Sequence, residues 1–277
     1  MLKFKKIFKK YKIAIIITII LICSIAIAYG VGTQITKENI EELEKEESQN
    51  NYEELRNDFQ DIFTNSINKE PTAKLNINYD ELLYCKYNIN KKEDEKYNIN
   101  AKIPQFKEES EILQKTNEEI FDIFAREVGE ISNNTSGNIV YNVDYVAYVN
   151  NNIISLVIMC KYKKGSNPQR IIVQTYNYDI ENDKMLDIEE IVAYKNLDKE
   201  NVQKKIQEEI QAEIKEENKQ MQNIKDQGYN LYVRDEKAEM YNVDKTPNFF
   251  LGKNNYLYLV YSYGNNEYTS KIDLVIF

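Results

Sequence analysis

The sequence predicts an α+β protein in which antiparallel sheets pack against helices, preceded by one N-terminal transmembrane helix and a helical stalk. Three observations support this prediction: an uncharged run near the start, alternating apolar and polar runs typical of strands, and helical spacing of apolar residues between those runs. The chain of 277 residues is long enough for a domain with its own core beyond the anchor and stalk.

The predicted membrane anchor covers residues 13–31, which carry no charge. A helix of that length is about 28 Å long, close to the roughly 30 Å hydrocarbon core of a bilayer. Six lysines lie in residues 1–12, and no acid precedes Glu38. The positive-inside rule therefore predicts a single-pass protein of the cell membrane with a cytoplasmic basic tail and an extracellular C-terminal domain.

Two other interpretations of this run place the C-terminal part in the same compartment. Residues 26–28 have the A-x-A pattern of a signal peptide cut before Tyr29. Cys23 suggests a lipoprotein, although Ile22 stands where a small residue is required. We favour the uncleaved anchor, because the apolar run exceeds the roughly 7–15 residues of a usual signal-peptide core.

Residues 32–73 are predicted to form an acidic helical stalk or linker. Its first part is rich in glutamate, and its second part has apolar residues at helical spacing. Core packing is favoured for this stripe over a coiled coil, because two turns are too few for one. The stripe consists of Tyr52, Leu55, Phe59, Ile62 and Phe63.

An extracytoplasmic α+β domain is predicted over residues 74–277, as one body or as two lobes at 74–180 and 181–277. Its first element is a β-hairpin, since Lys-Tyr-Asn-Ile-Asn occurs at residues 86–90 and again at 96–100 around a charged connector. An internal duplication is the alternative, but five residues repeated once do not support an array.

Pro104 is expected to interrupt the second strand, and a helix is predicted over residues 108–128. Gly129 and the polar cluster after it are expected to end this helix. The predicted apolar positions of the helix are Ile112, Leu113, Ile120, Phe121, Phe124 and Val128.

Three further strands are predicted to be antiparallel neighbours, because short polar segments connect them. Two helices and three closing strands follow, on the same criteria of spacing and alternation. The first three strands cover residues 139–149, 153–162 and 170–178. The helices cover residues 188–194 and 198–224, and the closing strands 248–251, 256–262 and 268–277.

The charge of the chain favours a cationic partner. The formal net charge is −9, which becomes −15 when the six lysines of residues 1–12 are set aside. Phosphate-rich partners are repelled by such a domain, so no nucleic acid is predicted to bind. The alternative is that the acids simply keep the domain soluble.

The absence of histidine removes the commonest general base and metal ligand. We therefore predict no enzyme, no catalytic residue and no cofactor, although hydrolysis by carboxylates alone stays open. Four acids between residues 179 and 190 have part of the spacing of a calcium loop. No metal site is predicted there, because Lys184 stands where the loop requires glycine.

Cys85 and Cys160 both adjoin apolar runs and are predicted to be free thiols at core positions. A disulfide between them is the alternative, since the predicted compartment is oxidising.

A partner-binding surface is predicted where turns bring polar and aromatic groups together. Tyrosine is also a good strand former, so core packing is the alternative for the tyrosines. The candidate partner-binding residues are Gly165, Ser166, Asn167, Pro168, Tyr261, Tyr263 and Tyr268.

Several segments, in order and spacing, resemble a known module over residues 74–277. They are Ile103-Pro104-Gln105-Phe106, the strand with Ser155, Tyr178-Asp179-Ile180 with Lys184-Met185-Leu186, and the closing strands from Phe249-Phe250-Leu251 onward. The chain resembles the PdaC/RsiV-like extracytoplasmic domain of lysozyme-sensing anti-sigma-V factors and of the N-terminal part of some peptidoglycan deacetylases. The resemblance implies a bacterial cell-envelope binding or sensor module whose partner is a cationic protein such as lysozyme or a cell-wall component.

Two departures limit what this resemblance implies. The family's turn Gly-Gly-Ala-His is replaced by Gly165-Ser166-Asn167-Pro168, so no contact of that histidine is carried over. The twelve residues before the anchor are too few for an anti-sigma domain, and no deacetylase domain is expected. The alternatives are a carboxylate-only cell-wall hydrolase or its accessory subunit, and a structural envelope protein.

Overall fold

The computed structural model describes residues 54–56, 82–107, 110–133, 137–225, 234–265 and 267–277. The predicted anchor and nearly all of the predicted stalk lie outside these ranges. Within them, no helix has both the length and the apolar character needed to cross a membrane. Residues Asp58–Phe277 form one compact unit, and residues 54–56 are a helical turn of another.

The described part of the compact unit is α+β, with a six-stranded mixed sheet, a three-stranded antiparallel sheet and packed helices. The large sheet consists, in spatial order, of β1 (Leu83–Glu93), β2 (Tyr97–Phe106), β3 (Ile139–Asn150), β4 (Ile153–Lys164), β5 (Arg170–Asp179) and β6 (Lys184–Met185). The small sheet consists of β7 (Asn248–Leu251), β8 (Leu257–Tyr263) and β9 (Lys271–Ile276). The first α-helix, α1 (Glu111–Ile120), continues through a π-helical turn at Phe121–Ala125 into α2 (Arg126–Asn133). Two further α-helices follow β6 in the chain, α3 (Ile188–Tyr194) and α4 (Lys199–Lys225).

Strands β2 and β3 are parallel, which corrects the expectation of antiparallel sheets throughout. Tyr97 aligns with Ile139, and Ala101 aligns with Val143. A parallel pair requires a crossover that returns the chain to the same end of the sheet, and α1 with α2 provides it. The α+β class is confirmed, and the predicted hairpin is observed as β1 and β2.

Two predicted interruptions do not occur, and the last strand begins at Lys271 instead of residue 268. Strand β2 continues through Pro104, which lies opposite Cys85 where the register breaks, and a bulge tolerates a residue without a backbone N–H. The helix passes Gly129 and ends at Asn133. One glycine costs about 1 kcal/mol of helix propensity, and the buried side chains on either side outweigh that cost, since Val128 and Ile131 both pack into the core.

Each sheet has its own apolar core. The first lies between the large sheet and α1 with α2, and it contains Phe106, Phe124 and Leu156. The second lies between the small sheet and α3 with α4, and it contains Ile206 and Leu259.

The two sheets meet through hydrogen bonds at the free edge of β7. The backbone groups of Phe249 and Leu251 that face away from β8 all bond to side chains of the large sheet. Buried backbone N–H and C=O groups are costly when they lack a hydrogen-bond partner. These side chains therefore satisfy the edge strand β7 in place of a further strand. The four bonds are Phe249 N to Thr175 Oγ1 at 3.0 Å, Asn177 Nδ2 to Phe249 O at 2.8 Å, Leu251 N to Ser155 Oγ at 3.0 Å, and Asn150 Nδ2 to Leu251 O at 3.1 Å.

Both described cysteines are free thiols, but only Cys160 is buried. Cys85 is exposed on β1, which corrects its expected core position. The cause is the register break beside it, which interrupts the alternation that the neighbouring leucines suggest. Burial raises the pKa of the Cys160 thiol to about 12.

Thiol labelling in a Cys23→Ser variant checks this placement. We expect dithiobis(nitrobenzoate) at pH 8 to modify one thiol per folded chain, Cys85, and a second only after denaturant is added, because the thiolate is the reacting form and Cys160 is shielded. Zero reactive thiols before reduction would instead indicate a disulfide, and two fast thiols would contradict the burial of Cys160.

Candidate functional site

An open groove of about 340 Å³ lies between α1 and the hairpin of β1 and β2. Residues from both elements line it, and they include aromatic, amide and carboxylate side chains and one lysine. The hairpin contributes Lys86, Tyr87, Ile103, Pro104 and Gln105, and the helical segment contributes Gln114, Asn117, Glu118, Ile120, Phe121 and Asp122.

Asn117 fixes the helix against the hairpin at the floor of the groove. Its Oδ1 accepts a hydrogen bond from Phe106 N at 2.8 Å, and its Nδ2 donates to Phe106 O at 2.8 Å. The side chain is buried, so both bonds form away from water, where a lost bond is costly. This two-way bond holds α1 at a fixed distance from the end of β2.

Phe121 projects from this helix into solvent. Its side chain is 43% exposed, whereas Ile120 and Phe124 are buried, which corrects the prediction that Phe121 belongs to the apolar stripe. The π-helical turn begins at Phe121, and its wider spacing changes the angular position of the residues around it. Such turns are frequent at functional sites.

The groove combines paired aromatic rings with carboxylates. The rings of Tyr87 and Phe121 lie 6.1 Å apart between centroids, tilted by 54°. Glu118 and Asp122 are exposed beside them, and Asp122 pairs with Arg126 one turn further on. From Glu111 to Asn133 the chain has six acids against two bases, so this side of the domain is acidic.

Two of the segments predicted to bind a partner lie next to each other. Gln169 O accepts a hydrogen bond from Ser270 N at 2.9 Å, and Arg170 Nη1 donates to Tyr268 O at 2.9 Å. These bonds bring the turn Gly165, Ser166, Asn167 and Pro168 close to half-buried Tyr268. Gly165, Ser166 and Asn167 are exposed and Pro168 is half-buried. Gly165 has φ of +55°, a backbone conformation that favours glycine.

Tyr261 and Tyr263 are buried, which corrects their assignment to a partner-binding surface. The Tyr261 hydroxyl shares a hydrogen bond with Thr246 Oγ1 at 3.2 Å, and the Tyr263 hydroxyl donates to Asp273 Oδ1 at 3.4 Å. Strand alternation in β8 places both side chains on its covered face, where Tyr261 packs into the second core and Tyr263 lies against the Arg234 guanidinium. Of the predicted tyrosines, Tyr268 alone stays accessible.

The acids with calcium-loop spacing have local structural roles. Asp179 accepts hydrogen bonds from Asn182 Nδ2 at 2.7 Å and Glu181 N at 3.0 Å, and the Asn182 bond lowers the pKa of Asp179. Glu190 forms a capping box with Asp187 at the start of α3. Across the described ranges, no three acids or cysteines are grouped closely enough to hold a metal ion.

The sequence does not predict the groove, because regular helical spacing places Phe121 in the core. Adjacent Ile120 and Phe121 fit one wide apolar stripe in a regular helix, and no residue type marks a π-helical turn in advance. The useful signal was the density of acids around Phe121. No protein-family model matches the sequence, and no curated protein does.

Proposed function

We propose that the chain is a non-catalytic, membrane-anchored binding or sensor module that takes a basic segment of an extracellular protein, such as lysozyme, in the groove beside Phe121. The observation that carries this proposal is the ring pair of exposed Phe121 and half-buried Tyr87, which lines the groove together with the carboxylates of Glu118 and Asp122. The anchor and its orientation are inferred from the uncharged run and the lysines before it.

A lysine or arginine side chain fits this arrangement for two reasons. A cation over an aromatic face contributes about 0.5–1 kcal/mol at exposed sites and more when desolvated. Carboxylates beside the ring add Coulombic attraction and steer a basic protein toward the groove. The hydrogen bonds of Asn117 hold α1 against β2, so Phe121 and the two carboxylates lie on a rigid element. A rigid element loses less conformational entropy on binding.

The predicted turn at residues 165–168 is a poorer place for a cationic partner. Lys163 and Lys164 precede it directly, and Arg170 follows two residues after Pro168. Like charges repel at such short range. The groove holds one lysine, Lys86, against the two acids Glu118 and Asp122, whereas the turn is flanked by cations alone, so the groove is the better place for a cationic partner.

Calorimetric titration of the full-length chain in detergent tests the proposal. We expect saturable binding of a c-type lysozyme that persists at about 0.3 M salt, where exposed charges are screened beyond roughly 6 Å, and no such binding of cytochrome c, a basic protein of similar charge. Phe121→Ala is expected to weaken lysozyme binding at least tenfold, because a central aromatic contact contributes about 1.4 kcal/mol or more.

Two matched controls separate the groove from general surface effects. Ile172→Ala truncates a side chain of similar exposure, 39%, and is expected to leave affinity within twofold. Glu118→Gln with Asp122→Asn should weaken binding, whereas Glu200→Gln with Glu208→Gln on α4 should not. Equal losses in both pairs, or binding shared by cytochrome c, would contradict the proposal.

A further inference from the structure

The large sheet has one face covered by α1 and α2 and an opposite face that is partly open. The register of β1 to β4 places two groups of residues on one face of the large sheet. They are Lys161 and Lys163 of β4, and the even-numbered residues within 88–92, 98–102 and 140–144 of the other three strands. We name this set the open face. The alternate positions, such as Ile99 and Val143, point into the core under the helices, which fixes the side on which the open face lies.

The small sheet covers only one end of this side. Strand β7 bonds to Ser155 and Asn177, and Val157 and Met159 beyond them are still buried. From Lys161 onward the side chains of β4 become half-buried and then exposed. The open face therefore begins where the small sheet ends.

Three asparagines and one lysine form a row across the open face, perpendicular to the strands. Asn90 aligns with Asn100, Asn100 with Asn142, and Asn142 with Lys161, so four neighbouring strands contribute one polar side chain each. Strands lie about 4.8 Å apart, so this row is about 14 Å wide. Each amide offers two donors and an acceptor.

The open face is basic in a chain that is acidic overall. It holds four lysines, at positions 92, 102, 161 and 163, against one acid, Asp144. Lys92 pairs with Asp94 at 3.0 Å. In the described part of the chain, Lys102, Lys161 and Lys163 have no acidic partner within ion-pair distance. The negative net charge of the whole chain therefore does not describe the local charge of the open face, which is positive.

The chemistry of the open face matches a polymer with phosphodiester groups and hydroxyls. Ammonium groups act as point charges on phosphate, and amides hydrogen-bond hydroxyl and phosphate oxygens. The open face has no aromatic side chain on which a nucleobase stacks, so a nucleic acid gains only backbone contacts there. We propose that the open face binds a base-free phosphodiester polymer of the cell surface, a linear polyol phosphate chain, independently of the groove.

Titration of the full-length chain in detergent with poly(glycerol phosphate) tests this proposal. We expect saturable binding that weakens as salt rises, while neutral dextran does not bind and a single-stranded oligonucleotide binds more weakly. The variant Lys102→Gln with Lys161→Gln and Lys163→Gln is expected to lose at least tenfold in affinity. The control Lys115→Gln with Lys204→Gln and Lys219→Gln changes net charge equally on helix surfaces and should stay within twofold.

Three results would overturn the proposal: equal losses in the two triple variants, tighter binding of the oligonucleotide, or no binding of the polymer to the unmodified chain. Urea midpoints of both variants, expected to match the unmodified chain, exclude unfolding as the cause of a loss. Phe121→Ala is expected to leave polymer binding unchanged, so the groove and the open face are tested separately.

Discussion

Replacing Asp273 with alanine is expected to lower the free energy of unfolding by about 3–5 kcal/mol, because it removes the most deeply buried acidic partner of a buried guanidinium. The Arg234 and Asp273 side chains are 4% and 2% exposed. Asp273 accepts hydrogen bonds from Arg234 Nε at 2.9 Å and Nη2 at 2.7 Å, and from the Tyr241 hydroxyl at 3.2 Å. Burial raises the pKa of the Asp273 carboxyl, and the Arg234 hydrogen bonds act against that rise.

Urea unfolding of the full-length chain measures this effect. Asp94→Ala, which removes an exposed ion pair with Lys92, is the control and should change stability by less than about 0.5 kcal/mol. The double change Arg234→Met with Asp273→Leu should recover much of the loss, because neither charge then stays buried alone. A loss below about 1 kcal/mol for Asp273→Ala would mean that Glu217 and Glu213 suffice to hold Arg234.

The second large effect is expected at the joint between the sheets. Asn177→Leu should cost about 3 kcal/mol, because two polar groups at this joint each lose a hydrogen bond, and each loss costs roughly 1–3 kcal/mol. These groups are the Phe249 carbonyl, which accepts from Asn177 Nδ2, and the Ser155 hydroxyl, which donates to Asn177 Oδ1 at 2.6 Å. Asn177 and Ser155 are both almost fully buried, so water does not replace these bonds.

A double-mutant cycle identifies the source of this loss. Ser155→Ala combined with Asn177→Leu should cost less than the sum of the two single changes, because both single changes break the same hydrogen bond between Ser155 Oγ and Asn177 Oδ1. Asn88→Leu, an exposed asparagine on β1, is the matched control and should be close to neutral. Additive losses would show that packing around the larger leucine, and not the lost hydrogen bonds, is responsible.

The elements that sequence predicted best are those with an uninterrupted local pattern. Strand β4 has an apolar run from Ile153, and α3 has a capping residue, Asp187, followed by buried Ile188 and Ile191. Local hydrophobic periodicity and caps depend on neighbours in the chain, so they can be recognised without the tertiary structure.

The structural features that the sequence did not predict depend on contacts between segments that are far apart in the chain. The parallel pairing of β2 with β3 depends on where the crossover helix packs, and the exposure of Phe121 depends on a π-helical turn. Arg234 lies in a polar segment, and its partner Asp273 lies 39 residues further on within an apolar strand. Local pattern gives no sign that these two charges meet.

The completed edge of β7 also implies an order of assembly. Ser155 lies on β4 and Asn177 on β5, so the partners of β7 are in place only after that hairpin has formed. Strand β7 is synthesised later than both, and before it docks, its outward amides and carbonyls are hydrated. We therefore expect the large sheet to form first and to serve as the surface on which the small sheet completes its folding.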